Sequence, residues 1–487
     1  MKKLFILSLF IITSIKSQTL GTQDMTFGNS GSTEFTFSPP VKGFQAYNMN
    51  LLPNNDFLVG GVSNWGCSST SNYTGILSKF NQEGTLDTSY NQNGVLDNSA
   101  IVNRMKPSRD GNYFILNQYS TLSKVDVNGN LITSWGVNGY ITLPYPYNIR
   151  DWKESLNNEI IINAVKVNFD NKVYSAIFKY HQNGTSDVSF GTSGKIEFAN
   201  QPNLIIAKTD IDNEGNYMFT GKISTSLVYN DANIIVFKTN PNGNPISNFG
   251  TNGLLTITNY VSNTTNDTFT FITPDNGIII ITDRLLMFKV LSNATLDPSF
   301  SNGYKFPQNV AGITDVHFVN NNFYVFADRN ATTFLLGKIN INGNIDTTYN
   351  GNGYILINKL AGPHGSTKTL IQGNRLIIAE NMENYYCSQL NWKLIMRRFY
   401  IGEVLSTIEN KYPDYTIIYP NPAEDKVFVK GLTNIELLSI DGRKIEIKTQ
   451  FKDKEQILDI SQLNKGIYFI KGKRHDDKVV SKKIIKK

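Results

Sequence analysis

The sequence has 487 residues, a hydrophobic content of 40%, an aromatic content of 12% and a formal net charge of +6. A chain of this length is longer than one hydrophobic core usually serves, so we expect two domains or an array of repeats. The positive surplus lies in residues 417–487, which hold 16 Lys and Arg against 10 Asp and Glu and leave 30 against 30 before them. The residues before 417 therefore carry no net charge, which argues against nucleic-acid binding. Two cysteines are too few for a disulfide-rich scaffold or a four-cysteine zinc site.

Residues 1–17 are typical of a secretory signal peptide. Two lysines precede an apolar run from Leu4 to Ile15, and the small residue Ser17 stands before Gln18. The run is shorter than the roughly 20 residues that span a bilayer, and no later segment approaches that length. The sequence therefore predicts export, cleavage between Ser17 and Gln18, and a mature protein without a transmembrane segment.

A phrase of about ten residues occurs seven times along the chain. It places an aromatic residue three positions after an aspartate and four before a glycine, as in Asp87, Tyr90 and Gly94. Successive copies are 45 to 63 residues apart, which indicates a repeat architecture. Ile132 and Ile246 replace the aspartate in two copies, so we interpret the phrase as structural and not as a shared ligand site. The aromatic residues are Phe27, Tyr90, Trp135, Phe190, Phe249, Phe300 and Tyr349.

Two further elements accompany the phrase. An apolar strand that ends in a basic residue precedes it, and six of the seven such strands run straight into a polar turn such as NQEG or DVNG. Asn, Asp and Gly suit tight hairpins, and an earlier turn in each unit opens another apolar run. Four antiparallel strands in about 55 residues indicate a propeller blade, whereas the coils of a parallel β-helix are shorter. The basic strand ends are Lys79, Lys124, Lys179, Lys238, Lys289, Lys338 and Arg397.

The two ends of the repeat region predict how the ring closes. The first phrase, at Phe27, has no basic-ended strand before it, and the last such strand, at Arg397, has no phrase after it. We expect these halves to pair in one blade, which removes the free sheet edges. Residues 18–402 number 385 and give seven units of 55, so the sequence predicts an all-β, seven-bladed β-propeller.

The periodicity, with its LDxSF and NG core phrase and its DGN strand starts, resembles the delta-60 repeat family of secreted bacterial propeller-like proteins. The resemblance covers roughly residues 20–402. It implies the fold and carries little information about activity, because one fold hosts many functions.

Residues 417–487 read as a small β-sandwich after a linker at 403–416. Six short alternating strands are expected between turns such as SIDGRK and LNKG. Their predicted bounds are 427–429, 435–440, 445–447, 457–460, 467–470 and 479–485.

The order of phrases in this segment, YPNPAEDKV, LLSIDGRKI, LDISQLNKGIYFIK and a basic last strand, closely resembles the type A C-terminal sorting domain of the type IX secretion system. The resemblance implies export through the periplasm, handling by the type IX machinery, and a final location at the cell surface or in the medium of a Bacteroidota-type bacterium. The alternative is a β-domain whose basic end only protects a strand edge. The motif residues are Tyr419, Pro420, Asn421, Pro422, Asp441, Gly442, Gly466, Tyr468, Lys486 and Lys487.

The sequence contains few of the residues and motifs that are typical of a catalytic site. His181, His317, His364 and His475 are scattered without a metal-ligand partner at short spacing, and only His364 lies in a glycine-rich segment. Residues 210–217 imitate the start of an EF-hand loop, but the twelfth position is Gly221, so we expect a β-turn. No phosphate-binding loop, nucleophile elbow or HExxH motif occurs. We therefore name no catalytic, cofactor-binding or metal-binding residue and expect no cofactor.

Two functions remain open at this point. The first is a non-catalytic propeller that binds an extracellular glycan or protein, and the second is a glycan-active hydrolase or lyase that uses the propeller channel. Scarce histidine favours binding, whereas carboxylates from distant blades can still converge on the channel. Aromatic clusters at residues 145–152 and 383–392 are candidates for stacking on sugars.

The two cysteines occupy equivalent places in the first and last blades. Cys67 lies 12 residues before Lys79, and Cys387 lies 10 before Arg397. Blades one and seven are neighbours in a closed ring, and export leads to an oxidising compartment where disulfides persist. The sequence therefore predicts a Cys67–Cys387 disulfide across the seam, with two unpaired thiols as the alternative.

Overall fold

In the computed structural model, β-strands and turns make up nearly all of the described chain. Outside the described residues lie 1–18, 36–41, 66–71, 92–94, 99–101, 118, 168–171, 225–231, 263–267, 283–284, 307–309, 362–363, 387–388, 403–416, 420–421, 440–442, 453–454 and 474–478. The predicted signal peptide with Ser17 and Gln18, the linker, and both cysteines fall within these segments. The chain divides into two compact units, with the boundary between residues 408 and 409.

The first unit contains seven four-stranded antiparallel sheets, which we call blades. Blade 1 pairs β2 (Lys42–Leu51), β3 (Phe57–Trp65), β4 (Asn72–Phe80) and β5 (Val95–Asn98). Blade 2 pairs β6 (Val102–Pro107), β7 (Tyr113–Asn117), β8 (Thr121–Val125) and β9 (Tyr140–Thr142). Blade 3 pairs β10 (Asn148–Glu154), β11 (Ile160–Val167), β12 (Val173–Tyr180) and β13 (Lys195–Glu197).

The following blades repeat this order. Blade 4 pairs β14 (Leu204–Ile211), β15 (Tyr217–Ile223), β16 (Ala232–Thr239) and β17 (Leu254–Ser262). Blade 5 pairs β18 (Thr268–Ile272), β19 (Ile278–Thr282), β20 (Leu286–Val290) and β21 (Gly303–Tyr304). Blade 6 pairs β22 (Gly312–Val319), β23 (Asn322–Asp328), β24 (Thr333–Asn340) and β25 (Tyr354–Asn358), and a short 3₁₀ turn covers Tyr349–Gly351.

Blade 7 joins the two ends of the repeat region, as the sequence predicts. It pairs β26 (His364–Gln372), β27 (Arg375–Tyr386), β28 (Gln389–Tyr400) and the N-terminal β1 (Ser32–Phe35). In the β1–β28 pair, Ser32 stands opposite Arg397 and Phe35 opposite Leu394. The prediction of an all-β, seven-bladed propeller is confirmed.

Hydrophobic clusters between blades hold the ring together. Each blade is apolar on both faces, and buried side chains form seven clusters, each shared by two successive blades. One of them joins blade 7 to blade 1 through residues such as Leu370 and Phe44. Across the same seam, the side-chain amide of Asn381 donates to the carbonyl of Ala46 at 2.9 Å and accepts from its N–H at 2.8 Å. The ring is therefore closed by packing and by hydrogen bonds.

The first strand of each blade lies on the inside of the ring. The first strands of neighbouring blades contact one another, as β2 contacts β6 and β26, and β14 contacts β10 and β18. Six of these seven strands carry a bulge, which falls at Tyr47 in β2, Asn103 in β6 and Arg150 in β10. A bulge interrupts the alternation of side chains along a strand, so its position determines which residues point toward the middle of the ring.

The second unit is a two-sheet sandwich. One sheet pairs β29 (Ile417–Tyr419), β30 (Lys426–Lys430), β34 (Glu455–Asp459) and β33 (Thr449–Lys452). The other pairs β32 (Lys444–Ile445), β31 (Thr433–Ser439), β35 (Gly466–Lys473) and β36 (Val479–Lys486). Val427 and Leu458 from one sheet share a core with Leu437 and Ile470 from the other. All six predicted strands overlap observed ones, and the sequence analysis missed β29 and β33.

The Cys67–Cys387 disulfide stays a prediction, because both residues lie outside the described ones. Cys67 stands between β3 and β4, and Cys387 between β27 and β28, so each follows the second strand of its blade. The bond should raise the free energy of unfolding by about 2 to 4 kcal/mol, since it closes a very long loop. Thiol labelling of the unfolded, unreduced protein checks it: no labelled cysteine is expected, and two reactive thiols per chain would refute the bond.

Candidate functional site

The aromatic residue of the repeated phrase lies between neighbouring blades. All seven rings are buried. Phe300 of blade 5 packs on Gly343 in a turn of blade 6, where an added Cβ would come 2.6 Å from the ring. Next to it, the Ser301 N–H donates to the carbonyl of Asn342 at 2.9 Å. The phrase is therefore a connection between blades and not a ligand-binding loop. The same packing joins Phe27 to Gly84 and Phe190 to Gly243.

The aspartate of the phrase has a structural role as well. One oxygen of Asp297 accepts hydrogen bonds from the N–H and the hydroxyl of Ser299, at 2.8 and 2.6 Å. Its other oxygen lies 3.0 Å from the ammonium of Lys289, the basic residue that ends β20. The bonds from Ser299 and Lys289 lower the pKa of Asp297 to about 2. The phrase aspartate thus ties its turn to the preceding strand.

The two copies without this aspartate keep the ion pair by another route. In blade 2, Lys124 pairs with Asp110 at 2.6 Å, and in blade 4, Lys238 pairs with Asp212 at 2.8 Å. Both carboxylates come from the turn between the first and second strands. The basic strand end therefore has an acidic partner even where Ile132 or Ile246 occupies the phrase position.

In blade 7 the basic strand end is Arg398, one residue beyond the predicted Arg397. Arg398 is fully buried and bonds to Asp24 at 2.8 Å. Arg397 pairs instead with Glu380, with 2.5 Å between a guanidinium nitrogen and the carboxylate. The predicted position was wrong by one because two arginines stand side by side in β28, and only the register decides which one faces the phrase.

The EF-hand-like segment is a β-turn, as predicted. Asp212 accepts from the N–H groups of Glu214 and Asn216, at 3.0 and 2.8 Å, and its second oxygen is held by Lys238. Asp210 points elsewhere, toward Lys153 of blade 3 and Thr270 of blade 5.

The three described histidines occupy unrelated places. His181 is exposed in a turn of blade 3, and His475 lies outside the described residues. His317 is buried, and its Nε2 lies 2.8 Å from the hydroxyl of Thr369. The segment that we read as a loop at His364 is the start of β26, opposite Met382, because the chain there enters the first strand of blade 7.

Folding brings His181 close to two carboxylates, which the sequence analysis missed. The ligand atoms of Glu159, His181 and Asp187 lie within 4.8 Å of one another. The ammonium of Lys179 already lies 3.0 Å from Glu159 and 3.3 Å from Asp187, so a side-chain cation between them offsets one of the two negative charges. His181 also lines a polar cleft of about 550 Å³ beside Trp135.

The predicted sugar-stacking cluster at residues 145–152 is mostly buried. Tyr147 and Trp152 belong to the core between blades 2 and 3, and only Tyr145, which is 98% exposed, presents its ring to solvent. Tyr147 and Trp152 therefore pack in the core between the blades and are not available to stack on sugars. The side chains of the second cluster, at 383–392, lie outside the described ones.

The strongest candidate site is a group of charged side chains inside the ring. Arg104 and Lys106 of β6, Asp151 and Lys153 of β10, and Lys208 and Asp210 of β14 come from three successive first strands. We call these six residues the inner-strand charge cluster. Four cations face two carboxylates, which leaves two positive charges in excess. The sequence analysis did not identify the cluster, because its members are up to about 100 residues apart.

The two carboxylates of the cluster are held by the neighbouring blades. Asp151 lies 2.5 Å from the ammonium of Lys106 and accepts from the N–H of Thr209 at 3.1 Å. Asp210 lies 3.4 Å from Lys153 and accepts from the hydroxyl of Thr270. Ion pairs and hydrogen bonds across the blades therefore fix both groups.

The charges of the cluster strongly affect one another. Burial alone would raise the pKa of Asp151, but Lys106, Lys208 and Arg104 outweigh it and lower the pKa to about 2. Desolvation lowers the pKa of Lys106 to about 8, against the opposing effect of Asp151. The Lys106 side chain is nevertheless 35% exposed, and that of Lys153 is 46% exposed. These side chains are therefore partly desolvated by the surrounding protein and still in contact with water.

In the second unit, the described motif residues lie in or next to strands β29, β35 and β36. Tyr419 ends β29 and stacks on Phe428, and Tyr468 in β35 donates its hydroxyl to the carbonyl of Asn464 at 2.8 Å. Gly466 begins β35 and Pro422 is exposed in a bend, while Lys486 is buried in β36 and the Lys487 N–H donates to Ala423. Pro420, Asn421, Asp441 and Gly442 lie outside the described residues.

Solved structures with similar folds share little sequence with this chain. The type IX secretion surface component PorZ of Porphyromonas gingivalis is 12% identical over 91% of this chain and 59% of that one, with a TM-score of 0.37. The polysaccharide lyase Uly1 is 7% identical over 78% of this chain and 95% of that one, with a TM-score of 0.42. A protein of Bacteroides caccae is 11% identical over 62% and 93%, with a TM-score of 0.35. Similarities this low carry no information on function.

The sequence comparisons concern the C-terminal unit. No curated protein sequence matches the chain. Residues 417–487 match the family described as the secretion system C-terminal sorting domain. The described part of the chain contains no apolar helix of membrane-spanning length. With this sorting domain, the chain is a cargo of the type IX secretion system that is exported to the cell surface or the medium.

Proposed function

We propose that the chain is an exported binding protein, whose delta-60-type repeat propeller holds an extracellular glycan or protein ligand without catalysis. The observation that carries the proposal is the inner-strand charge cluster, a group of charged side chains inside the ring that water reaches. The sorting domain supports an extracellular ligand, since it delivers the propeller outside the cell.

The state of the carboxylates favours binding over glycoside hydrolysis. A glycosidase needs one carboxyl group that stays protonated near neutral pH to act as the general acid. The pKa of Asp151 is about 2, because three cations surround it, so this group is ionised throughout the physiological range. Its oxygens are also engaged by Lys106 and by the N–H of Thr209. The arrangement suits a fixed recognition surface.

One observation favours the alternative, a glycan-active hydrolase or lyase that uses the channel. The pKa of Lys106 is lowered to about 8, so its amine is partly neutral in mildly alkaline solution and could accept a proton. Arg104 stands on the same strand, in a position to neutralise a substrate carboxylate.

A combined binding and turnover experiment tests the proposal. The purified chain is screened on an array of extracellular glycans and against secreted proteins, and each ligand found is then incubated with the protein at high concentration. We expect saturable binding to at least one ligand and an unchanged ligand after prolonged incubation. Cleavage products that increase with time and disappear in Lys106→Asn would establish the enzyme instead, and a full screen without any ligand would refute binding.

A further inference from the structure

The cations of the inner-strand charge cluster have neutral counterparts in blade 1. Asn48 in β2 and Arg104 in β6 both stand one residue after the bulge of their strand. Asn48 donates its side-chain amide to the carbonyl of Asn103 in blade 2, at 2.8 Å. Arg104 donates to the carbonyl of Arg150, the corresponding bulge residue of blade 3. An asparagine therefore makes the same connection between blades as the arginine.

The same equivalence holds two residues further along. Asn50 and Lys106 both stand three residues after the bulge. Asn50 donates to the carbonyl of Met105 at 3.3 Å, and Lys106 donates to the carbonyl of Trp152 at 2.7 Å. Here too the acceptor is the equivalent residue of the next blade, and a neutral amide makes the bond.

The bonds to the carbonyls of the next blade therefore do not require a positive charge, although the ammonium of Lys106 also pairs with Asp151. Placing cations there has a cost, because burial removes part of their hydration and further cations lie nearby. The cost appears as the lowered pKa of Lys106. A ligand that brings negative charge would offset it, whereas a neutral ligand would not.

We propose that the inner-strand charge cluster binds an acidic glycan, and that Arg104, Lys106, Lys153 and Lys208 hold its carboxylate or sulfate groups. This inference rests on the proposed binding function and names its ligand class. The cations come from three successive strands, so a ligand with repeated anionic groups can engage several of them together. The cluster lies on the first strands, inside the ring, and this position favours a single narrow oligosaccharide chain over the folded surface of a protein.

Titration calorimetry of the full-length chain tests the inference with four probes: an oligogalacturonate, a sulfated dextran oligosaccharide, neutral dextran and a poly-glutamate peptide. We expect at least one of the two acidic glycans to bind, and to bind more weakly as salt rises from 50 to 200 mM, because salt screens the cations. Comparison of the first two probes tells whether carboxylate or sulfate is preferred.

The decisive variant is the double substitution Arg104→Asn and Lys106→Asn, which reproduces the blade 1 arrangement. Because Asp151 loses its ammonium partner, the variant should melt at a lower temperature than the parent chain, but still in one cooperative transition. It should weaken binding of the acidic glycan by roughly ten- to a hundredfold, through the loss of two charge-assisted contacts. The matched control, Lys448→Asn with Lys465→Asn, removes the same charge from exposed positions of the second unit and should bind like the parent chain.

The pH dependence gives a second measurement. Only the protonated form of Lys106 is cationic, and it is affected by Asp151 and Lys153 of β10 and by Lys208 of β14, with Arg104 on its own strand. Affinity should therefore fall as the pH rises from 7 to 9 in the parent chain, and the double variant should lose this dependence.

Several outcomes would overturn the inference. They are equal affinity of parent and double variant, equal binding of neutral dextran, stronger binding of poly-glutamate than of either glycan, or no binding of either acidic glycan. If the array screen nevertheless finds a neutral glycan or a protein ligand, the proposed binding function survives while its assignment to acidic glycans fails.

Discussion

Deletion of residues 413–487 is expected to abolish export and to leave the propeller folded in the periplasm. The second unit has its own two sheets and its own core, so its loss removes no strand from the seven blades. The sorting domain is what the type IX machinery handles, and without it the predicted signal peptide would lead only across the inner membrane. Fractionation of the producing bacterium, with immunoblots of periplasm, surface and medium, measures the effect, and we expect the exported share to fall to background.

A fusion provides the control for this deletion. Residues 403–487 attached to an unrelated periplasmic passenger should carry that passenger out of the cell. The truncated propeller should also unfold in a single cooperative transition, which distinguishes a sorting defect from misfolding. Normal amounts of the truncated protein in the medium would show that export depends on another part of the chain.

Repetition made the ring predictable from the sequence. Seven aligned aromatics and seven basic strand ends gave the number of blades, and the unmatched halves at Phe27 and Arg397 gave the closure between β1 and β28. The repeat also indicates two ion pairs that the sequence analysis did not predict. Asp110 and Asp212 stand in the turns of the two blades whose phrase lacks aspartate, and an alignment of charges across blades would have found both ion pairs.

The candidate site could not be predicted from the repeats. Whether Arg104 or Met105 faces the middle of the ring depends on the bulge at Asn103, and the sequence pattern does not locate bulges. The partners are also remote, since Lys106 meets Asp151 from 45 residues away. In the second unit, β29 and β33 were missed because strands of three and four residues are too short to show a regular alternation.

The replacement Phe300→Ala is expected to lower the free energy of unfolding by about 3 to 5 kcal/mol, as for other large-to-small changes in a packed core. The ring of Phe300 is 5% exposed and lies in the cluster that joins blades 5 and 6. Val188→Ala is the control, because this side chain belongs to the same phrase in blade 3 but is 75% exposed. The control should change stability by no more than about 0.5 kcal/mol. Denaturant unfolding of the three proteins measures both effects.

A double-mutant cycle with Gly343 then tests the contact itself. Gly343 has a φ of +79°, and a Cβ at this position would come 2.6 Å from the Phe300 ring. Gly343→Ala should therefore destabilise the parent chain both by backbone strain and by the clash with the ring. In the Phe300→Ala background the clash disappears and only the strain remains, so Gly343→Ala should cost less there, with a coupling of about 0.5 to 3 kcal/mol, as for residues in direct contact. Additive effects of the two substitutions, or normal stability of Phe300→Ala, would show that the phrase aromatic does not join the blades.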